Sequence, residues 1–312
     1  RIEKLLENIS QAKPTIMTAV PRFYQNLYNK INMNMKKATG LKAKLINLTI
    51  NLGKKKLLGE KMNIQDKFLN GLVDALVRKK VKKQFGGNLK AFVSGGGALD
   101  KEIGEFLNSI GLPTLQGYGL TETAGACFLN PISRQIVGTV GVPLGDVQVK
   151  IASDGEVLIK SNCLFSGYFK EKELTKKAFL DEWFKTGDLG EINYAGYLKI
   201  KDRKKDIIVN SLGKNISPQK IETLLQNEKL ISHAFVILNS SSEITAILSL
   251  EKSSIINLLG SSNFSRDTSL EEMSKSEEVK ALIRDKITEV NASLQPQEKV
   301  KSASLSPEIF SV

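Results

Sequence analysis

The stretch from residue 89 to residue 125, LKAFVSGGGALDKEIGEFLNSIGLPTLQGYGLTETAG, decides the fold class. Its pattern predicts an apolar strand, a glycine turn and an amphipathic helix, followed by a second strand, a second glycine turn and a further helix. Strands that alternate with helices form parallel sheets, whose binding sites lie at the carboxyl ends of the strands. The sequence therefore predicts a parallel α/β sheet with its sites at the strand ends.

The second glycine turn, QGYGLTETAG, suits a flat ligand that carries phosphate. Gly117 and Gly119 let the backbone approach a ligand closely, and Tyr118 is available to stack on a base. Thr121 can donate a hydrogen bond to a phosphate or carboxylate oxygen. Glu122 is a hard oxygen ligand of the kind that binds Mg²⁺ together with phosphate oxygens. The stretch contains no Lys or Arg, so we expect the metal ion and lysines elsewhere to neutralise the phosphates.

The first glycine turn, SGGGAL, allows two interpretations. It follows a strand, as the phosphate turn of a dinucleotide-binding fold does, but G-x-G-x-x-G is not satisfied. The three glycines can also form a plain structural turn. The pattern disfavours a dinucleotide cofactor and leaves the structural turn open.

The composition changes after about residue 134, which indicates further domains. Short β runs separated by Gly, Pro and Asp-Gly turns predict a small β-barrel or sandwich, and from Ser217 the order helix, strand, strand, helix predicts an α+β module. The expected boundaries give domains at 1–134, 135–203 and 204–312. In FKTGDLG we expect Asp188 in a tight turn. A plain turn carboxylate at Asp188 and a solvated hairpin around Arg203 explain these residues, and the two could alternatively clamp a ribose diol from both sides.

Net charge is concentrated in one segment. Between Lys30 and Lys83 there are 15 Lys or Arg residues against three acids, which accounts for the +12 of the whole chain. A solvated helical face and attachment to an anionic membrane surface both explain this excess. A basic module that binds nucleic acid is an alternative of another class. The basic run lacks the interleaved aromatic residues that stack on bases, so no nucleic acid partner is expected.

Histidine and cysteine contribute little to the predicted chemistry. His233, the single histidine, lies in an apolar run that predicts a strand, which disfavours Ser-His or Cys-His catalysis. Cys127 and Cys163 form no metal-binding motif, so reduced thiols in the cytoplasm are expected.

In combination, the motifs resemble the adenylate-forming (AMP-binding) superfamily, and most closely its long-chain fatty acyl-CoA synthetases. The stretches that carry the resemblance are PTIMTAVPRFYQNLY, SGGGALD, QGYGLTETAG, GTVGVPLGDVQVKI, GEVLIKS, FKTGDLG, GYLKIKDRKKDIIVNSLGKNISPQKIE and SLSPEIFSV. Their order and spacing make the resemblance specific. It implies an α/β fold with a parallel sheet subdomain and a small β-barrel subdomain, followed by a smaller α+β C-terminal domain on a hinge.

The resemblance also implies a role for each matching residue. The residues expected around the adenine and the acyl group are Gly95, Gly96, Gly97, Gln116, Gly117, Tyr118 and Gly119. Thr121 is expected to contact the α-phosphate or the substrate carboxylate, and Glu122 to hold Mg²⁺. Asp188 and Arg203 are expected to grip the ribose. The hinge corresponds to Lys205, and Gly213 to the wall of the thiol tunnel.

The implied reaction is the ATP-dependent activation of a fatty acid and its transfer to CoA, in the cytoplasm or peripherally at a membrane. Acyl carrier protein is the alternative acceptor. Two expected parts are missing, namely a Ser/Thr/Gly-rich loop that ends in Pro-Lys-Gly and the adenylation lysine after PEIFSV. We therefore expect the chain to be a fragment, cut at both ends and inactive alone.

Overall fold

The computed structural model describes residues 2–209, 214–260, 264–265 and 267–308. The chain divides into two compact units, Arg1–Lys201 and Asp202–Val312. The helices of the first unit are α1 (Ile2–Ala12), α2 (Pro21–Lys36), α3 (Gly40–Leu57), α4 (Ile64–Val73), α5 (Lys79–Gln84), α6 (Lys101–Ser109) and α7 (Lys172–Ala178). A π-helical turn, Asp74–Arg78, joins α4 to α5.

Two sheets belong to the first unit. The first consists of β1 (Ile16–Ala19), β2 (Ala91–Ser94), β3 (Thr114–Leu120), β4 (Gly125–Leu129) and β5 (Val142–Pro143), in that order. The second consists of β6 (Gln148–Ile151), β7 (Glu156–Lys160), β8 (Phe179–Leu180), β9 (Trp183–Ile192) and β10 (Leu198–Arg203), in the order β10-β9-β7-β6 with β8 paired to β9.

The predicted parallel arrangement is confirmed for the first three strands. β1 pairs in parallel with β2, Ile16 opposite Ala91, and β2 pairs in parallel with β3, Phe92 opposite Thr114. Helix α6 makes the crossover from β2 to β3. The carboxyl ends of all three strands therefore meet at one edge of the sheet.

The helix predicted after the second glycine turn is wrong. A 3₁₀ turn, Thr121–Thr123, is followed by β4, which runs antiparallel to β3. Ala124 and Gly125 have φ values of +53° and +116°, in the region that a right-handed helix cannot use. These two residues reverse the chain, and the apolar run that follows, with Cys127 and Phe128 buried, becomes a strand.

An aromatic cluster beneath the first sheet fixes its position. Tyr24 on α2, Phe92 on β2 and Leu107 on α6 are completely buried. The Tyr24 and Phe92 rings meet edge to face with their centroids 5.6 Å apart, and the Tyr24 hydroxyl donates to the Val93 carbonyl at 2.9 Å. Burying each large apolar side chain contributes about 1.5–3 kcal/mol. The cluster therefore anchors β2, and with it the glycine turn that β2 carries.

The second unit is a separate α+β module. Its helices are α8 (Pro218–Asn227), α9 (Lys252–Leu259), α10 (Leu270–Lys275) and α11 (Glu277–Ala292), and its strands are β11 (Ile208–Val209), β12 (Asn215–Ile216), β13 (Ile231–Leu238), β14 (Ile244–Leu250) and β15 (Ser302–Ser306). β13 and β14 pair antiparallel, and β15 joins β14 in parallel. The predicted order helix, strand, strand, helix is confirmed, and His233 lies on a strand as expected.

Among the residues described, no helix combines the length and the apolar composition that crossing a bilayer requires.

Candidate active site

A cavity of about 780 Å³ opens at the carboxyl ends of β1, β2 and β3. Its walls come from the last residues of these strands and from the turns that follow them. Six of the predicted site residues line it: Gly95, Gly96, Gly117, Tyr118, Gly119 and Thr121. The two glycine motifs, which are about twenty residues apart in sequence, therefore share one cavity.

The glycines around this cavity have two different roles. A Cβ built on Gly95 would meet no atom within 4 Å, and Gly96 has a φ of +77° that favours glycine. Gly95 and Gly96 therefore leave open space next to their own backbone atoms. A Cβ on Gly119, in contrast, would lie 1.8 Å from the carbonyl oxygen of Gly125, so Gly119 is required for β3 and β4 to pack.

A buried threonine, which the sequence analysis missed, holds the turn after β3. The Thr123 side chain accepts from the Leu120 N–H at 2.8 Å and donates to the Gly125 carbonyl at 2.7 Å. Only 2% of Thr123 is exposed. Its hydroxyl satisfies backbone groups that would otherwise lack partners in a tight reversal. Thr121 is left exposed at the cavity rim.

Glu122 lies in the same turn and is half-buried. Its hydrogen-bond partner is Tyr168, which, like Thr123, the sequence did not indicate. The Tyr168 hydroxyl donates to Glu122 Oε1 at 2.9 Å. Burial, and then the neighbouring Glu122 carboxylate, raise the pKa of Tyr168, which stays a donor near neutral pH. Glu122 Oε2 accepts no hydrogen bond from any residue described. Glu122 itself is not among the residues that line the cavity.

The carboxylate of Glu122 fits a magnesium ion that is bound mainly through nucleotide phosphates. The described part of the chain contains no group of three or more His, Cys, Asp or Glu able to hold a metal by itself. Mg²⁺ needs only one or two protein carboxylates when phosphates supply other ligands. A second feature that fits a bound phosphorylated ligand is the hydroxyl of Ser94. Ser94 lines the cavity, and its buried hydroxyl has no hydrogen-bond partner among the described atoms.

Tyr118 and Asp188 are 70 residues apart and meet in the structure. The Tyr118 hydroxyl donates to Asp188 Oδ2 at 2.5 Å, and the Tyr118 ring lies 6.1 Å from that of Phe128. Burial, followed by the charge of Asp188, raises the pKa of Tyr118, so the phenol remains protonated. The bond joins a cavity-lining residue to a carboxylate that is only 3% exposed.

The tight turn expected at Asp188 is wrong. Asp188 lies within β9, beside Gly187, whose φ is +72°, and the pairing of β9 with β7 is irregular at this point. The Gly187 N–H donates to Glu156 Oε1 at 2.9 Å, and the Asp188 N–H donates to the Thr186 hydroxyl at 3.1 Å. A bulge in a strand therefore aims this carboxylate.

Other predicted site residues lie outside the cavity wall. Gly97 packs near Pro21, and a Cβ built on Gly97 would lie 3.5 Å from the Pro21 Cγ. The Gln116 carbonyl accepts a hydrogen bond from the Asn130 N–H at 3.1 Å. Arg203 ends β10 and Lys205 occupies the next turn, both in the second unit. Gly213 lies outside the described residues.

Comparisons with known proteins agree with this architecture. The family model described as "AMP-binding enzyme" matches residues 1–169. The chain is 35% identical over 261 residues to the long-chain-fatty-acid–CoA ligase FadD15 of Mycobacterium bovis, covering 80% of this chain and 42% of that protein. It is 34% identical over 254 residues to long chain acyl-CoA synthetase 3 of Arabidopsis thaliana, covering 77% of this chain and 38% of that protein.

Solved structures share the fold at low sequence identity. The adenylation domain of a carboxylate reductase from Mycobacterium chelonae superimposes with a TM-score of 0.67 at 22% identity, over 99% of this chain and 44% of that one. O-succinylbenzoate coenzyme A synthetase from Bacillus subtilis, solved in complex with AMP, gives 0.62 at 19% identity, over 99% of this chain and 51% of that one. These matches confirm the predicted α/β fold class. With the glycine motifs joined in one cavity and the family model matched over more than half of the chain, the chain belongs to the AMP-binding enzyme family.

Proposed function

We propose that the protein of which this chain forms part is an AMP-forming long-chain fatty acid–CoA ligase. The proposal rests on the cavity at the ends of β1–β3. Two glycine turns leave backbone exposed there beside Thr121, and the Tyr118 hydroxyl is hydrogen-bonded to Asp188. The names of the mycobacterial and plant relatives support the substrate class.

The proposed reaction has two steps. In the first, a fatty carboxylate oxygen attacks the α-phosphorus of ATP, the bond to the β-phosphate oxygen breaks, and acyl-adenylate and pyrophosphate form. In the second, the CoA sulfur attacks the acyl carbon, AMP leaves, and the thiol proton passes to solvent. The first step brings anionic groups together, so electrostatic stabilisation is the main contribution that the protein has to supply there.

The residues that line the cavity, and the buried Asp188 that is hydrogen-bonded to one of them, have defined tasks in this scheme. The backbone at Gly95 and Gly96 accepts the flat adenine or acyl group, and the Thr121 hydroxyl donates to an α-phosphate or carboxylate oxygen. Asp188, held by Tyr118, accepts from the ribose hydroxyls. Burial and this bond keep the Tyr118 ring in a fixed orientation.

The remaining roles come from the family resemblance. Glu122 would hold Mg²⁺, which neutralises charge on the phosphates when bound. Arg203 would be the second ribose contact and Lys205 the hinge between the half-reactions. The resemblance also implies that Gly97 and Gln116 lie beside the adenine and that Gly213, which is outside the described residues, corresponds to the wall of the thiol tunnel.

Fatty-acid-dependent exchange between ATP and pyrophosphate, followed by acceptor assays, tests the proposal. The full-length protein should catalyse exchange with a long-chain acid and Mg²⁺, and then form a thioester with CoA. A thioester formed with acyl carrier protein but not with CoA would identify the alternative acceptor. Absence of exchange with every fatty acid, under conditions where the protein is folded, would refute ligase activity.

We also propose that the protein works in the cytoplasm and associates peripherally with an anionic membrane through residues 30–83. The concentration of the net charge of +12 in this segment supports the association. Each Lys or Arg close to an anionic surface contributes about 1 kcal/mol, and salt screens the attraction. Cell fractionation should recover the protein on membranes at low ionic strength and in the soluble fraction after a high-salt wash. Recovery only in the soluble fraction at low salt would contradict it.

A further inference from the structure

Helix α4 and the π-turn after it expose a continuous apolar stripe. Ile64, Phe68, Leu72 and Leu76 are 86, 75, 41 and 42% exposed, and each is four residues from the next. Side chains at this spacing lie along one side of a helix. A surface helix of a globular protein normally buries such a stripe. Val73 is the only buried residue of α4, and it is not part of the stripe. The stripe therefore has no partner in the described part of the chain.

The surroundings of the stripe are positively charged. Its two acids are already paired, Asp66 with Lys55 at 3.3 Å and Asp74 with Arg78 at 2.7 Å. The exposed lysines in or next to the same helical run are Lys61, Lys67, Lys79, Lys80 and Lys83. None of these lysines forms an ion pair with a described residue. The combination of an apolar stripe with unpaired lysines is typical of helices that lie in the interface of a membrane.

A basic cavity of about 790 Å³ borders the same helical run. The cations that line it without ion pairs to described residues are Lys56, Lys79, Lys82 and Arg134. Arg78 also reaches the cavity, but its guanidinium is held by Asp74 and by the Ser109 and Thr49 carbonyls. Exposed apolar side chains, Leu58 and Ile132, complete the rim at 58 and 57% exposure. The cavity thus offers several cations for one anionic group beside an apolar edge.

This basic cavity is separate from the candidate active site. Pro113, which immediately precedes β3, lines the basic cavity, whereas Gly117, four residues further on, lines the other. Four residues of strand at about 3.3 Å each separate these two wall residues by about 13 Å. The nucleotide and the acyl group of the proposed reaction therefore do not account for it.

We propose that the stripe and the basic cavity form one docking face for an anionic lipid bilayer. The docking face comprises Ile64, Phe68, Leu72 and Leu76, which enter the boundary between headgroups and acyl chains, and Lys56, Lys79, Lys82 and Arg134, which take a lipid phosphate. The two parts adjoin because Leu76 and Lys79 are less than one helical turn apart. The inference rests on the proposed membrane association of residues 30–83, and not on the ligase reaction.

Two features favour a bilayer over other occupants. A soluble phosphorylated ligand would use the cations but would leave the exposed Phe68 and Ile64 unexplained. A bilayer containing anionic lipid satisfies both, since apolar insertion and electrostatic attraction add in interfacial binding. Among the positions to be replaced, Phe68 is 75% exposed, Lys79 is exposed and Lys82 is half-buried, so their replacement is expected to leave the fold intact.

Vesicle co-sedimentation of the full-length protein tests the docking face. Vesicles are made of phosphatidylcholine alone or with one third phosphatidylglycerol, and the variants are Phe68→Ser and the double substitution Lys79→Glu with Lys82→Glu. The matched controls lie elsewhere on the first unit: Phe169→Ser, at a side chain that is 85% exposed, and Lys176→Glu on α7. Wild type should prefer the anionic vesicles, and each test variant should bind them about tenfold or more weakly. The controls should bind as wild type does.

Three outcomes would overturn the proposal. Equal binding of wild type to neutral and anionic vesicles would reject an electrostatic membrane face. Displacement from vesicles by millimolar inorganic phosphate, with Phe68→Ser binding like wild type, would identify a site for a free phosphorylated ligand. A fall of several degrees in the Tm of full-length Phe68→Ser, with vesicle binding unchanged, would show that another part of the protein covers the stripe.

Exchange between ATP and pyrophosphate, with a water-soluble medium-chain acid, separates this inference from the proposed reaction. All four variants should exchange at the wild-type rate, because neither the docking face nor the two control positions line the candidate active site. If wild type shows no exchange, the ligase proposal fails while the vesicle comparison still decides the docking face.

Discussion

Single side chains determine the shape of the candidate active site. Thr123 closes the turn after β3 with hydrogen bonds to backbone atoms of Leu120 and Gly125. Gly119 allows β3 and β4 to approach to a distance that any Cβ would prevent. Both residues act on the backbone that carries Thr121 and Glu122, so we expect their replacement to change the site through the fold.

Two glycine-to-alanine substitutions separate packing from backbone entropy. Gly119→Ala should lower the free energy of unfolding by about 2–3 kcal/mol, because its Cβ would overlap the Gly125 carbonyl oxygen. Gly71→Ala, in the exposed part of α4 with no atom within 4 Å, should raise the stability by about 0.5–1 kcal/mol. Denaturant unfolding measures both. Similar effects of the two substitutions would mean that Gly119 is not required for packing.

Glu122 is the residue most directly tied to the proposed chemistry. In the full-length protein, Glu122→Ala should reduce exchange between ATP and pyrophosphate on the order of 10²-fold or more, as loss of a contact made in the transition state does. Tyr168→Phe removes only the hydrogen bond to Oε1 and keeps the carboxylate, so its effect should stay below about tenfold. Exchange by Glu122→Ala within about threefold of wild type would exclude the metal-ligand role.

Pairs of elements bring the remaining parts of the site into place. β3 carries Tyr118 and β9 carries Asp188, and the hydrogen bond between them joins the two sheets of the first unit. In the second unit, α8 packs on β13 in a similar way, and Glu222 Oε1 accepts from the Val236 N–H at 2.9 Å. Each of these contacts places a carboxyl group against a neighbouring element.

The contact between α8 and β13 should make stability depend on pH. The pKa of Glu222 lies above its ordinary value of 4.5. Burial is the largest cause and raises the pKa, the hydrogen bond from the Val236 N–H lowers it, and the charges of Asp202 and Asp206 raise it further. The folded state therefore holds the proton more tightly than the unfolded state, and this group's contribution to stability falls as pH rises from about 4.5. Glu222→Gln keeps an acceptor for Val236 and cannot ionise.

Thermal unfolding of the full-length protein across this pH range checks the sign. The Tm of Glu222→Gln minus the Tm of wild type should increase as pH rises from 4.5 towards neutrality. A difference that stays constant with pH, or moves in favour of wild type, would contradict the raised pKa.

At the scale of the whole molecule, the chain consists of two units divided after Lys201. The hinge proposed from the family resemblance, Lys205, lies in the turn that follows β10, where the Asp206 N–H donates to the Arg203 carbonyl at 3.1 Å. Turn residues can change their torsion angles without disturbing a core. A two-step reaction that needs different contacts in each step can use such a position.

A proline at the proposed hinge should affect the two half-reactions unequally. Lys205→Pro fixes φ near −65°, and in the full-length protein it should slow either adenylate formation or thioester formation at least about tenfold more than the other. Lys205→Ala is the control for loss of the side chain alone and should retain the wild-type ratio of the two rates. Wild-type rates of both half-reactions in the proline variant would place the hinge elsewhere.

Local pattern in the sequence was sufficient for the identity and order of most elements. The apolar run that leads to Gly95, the helix after Asp100 and the strand that leads to Gly117 were all predictable, because hydrophobic period and glycine position act over a few residues. The same motifs, taken in order, were enough to recognise the family. The sequence also predicted a parallel sheet with its sites at the strand ends, and parallel strands end together at one edge.

Only the tertiary structure decided the features that depend on residues far apart in the chain. The hydrogen bond from Tyr168 to Glu122, 46 residues apart, and that from Tyr118 to Asp188, 70 apart, each need a partner that no local pattern specifies. The reversal that turns the predicted helix into β4 rests on the positive φ of Ala124, which hydrophobic period does not report. Hydrophobic period locates the apolar side of a helix, but it does not say whether another element covers that side. For α4, the fold of the described residues leaves that side exposed because no other element packs over it.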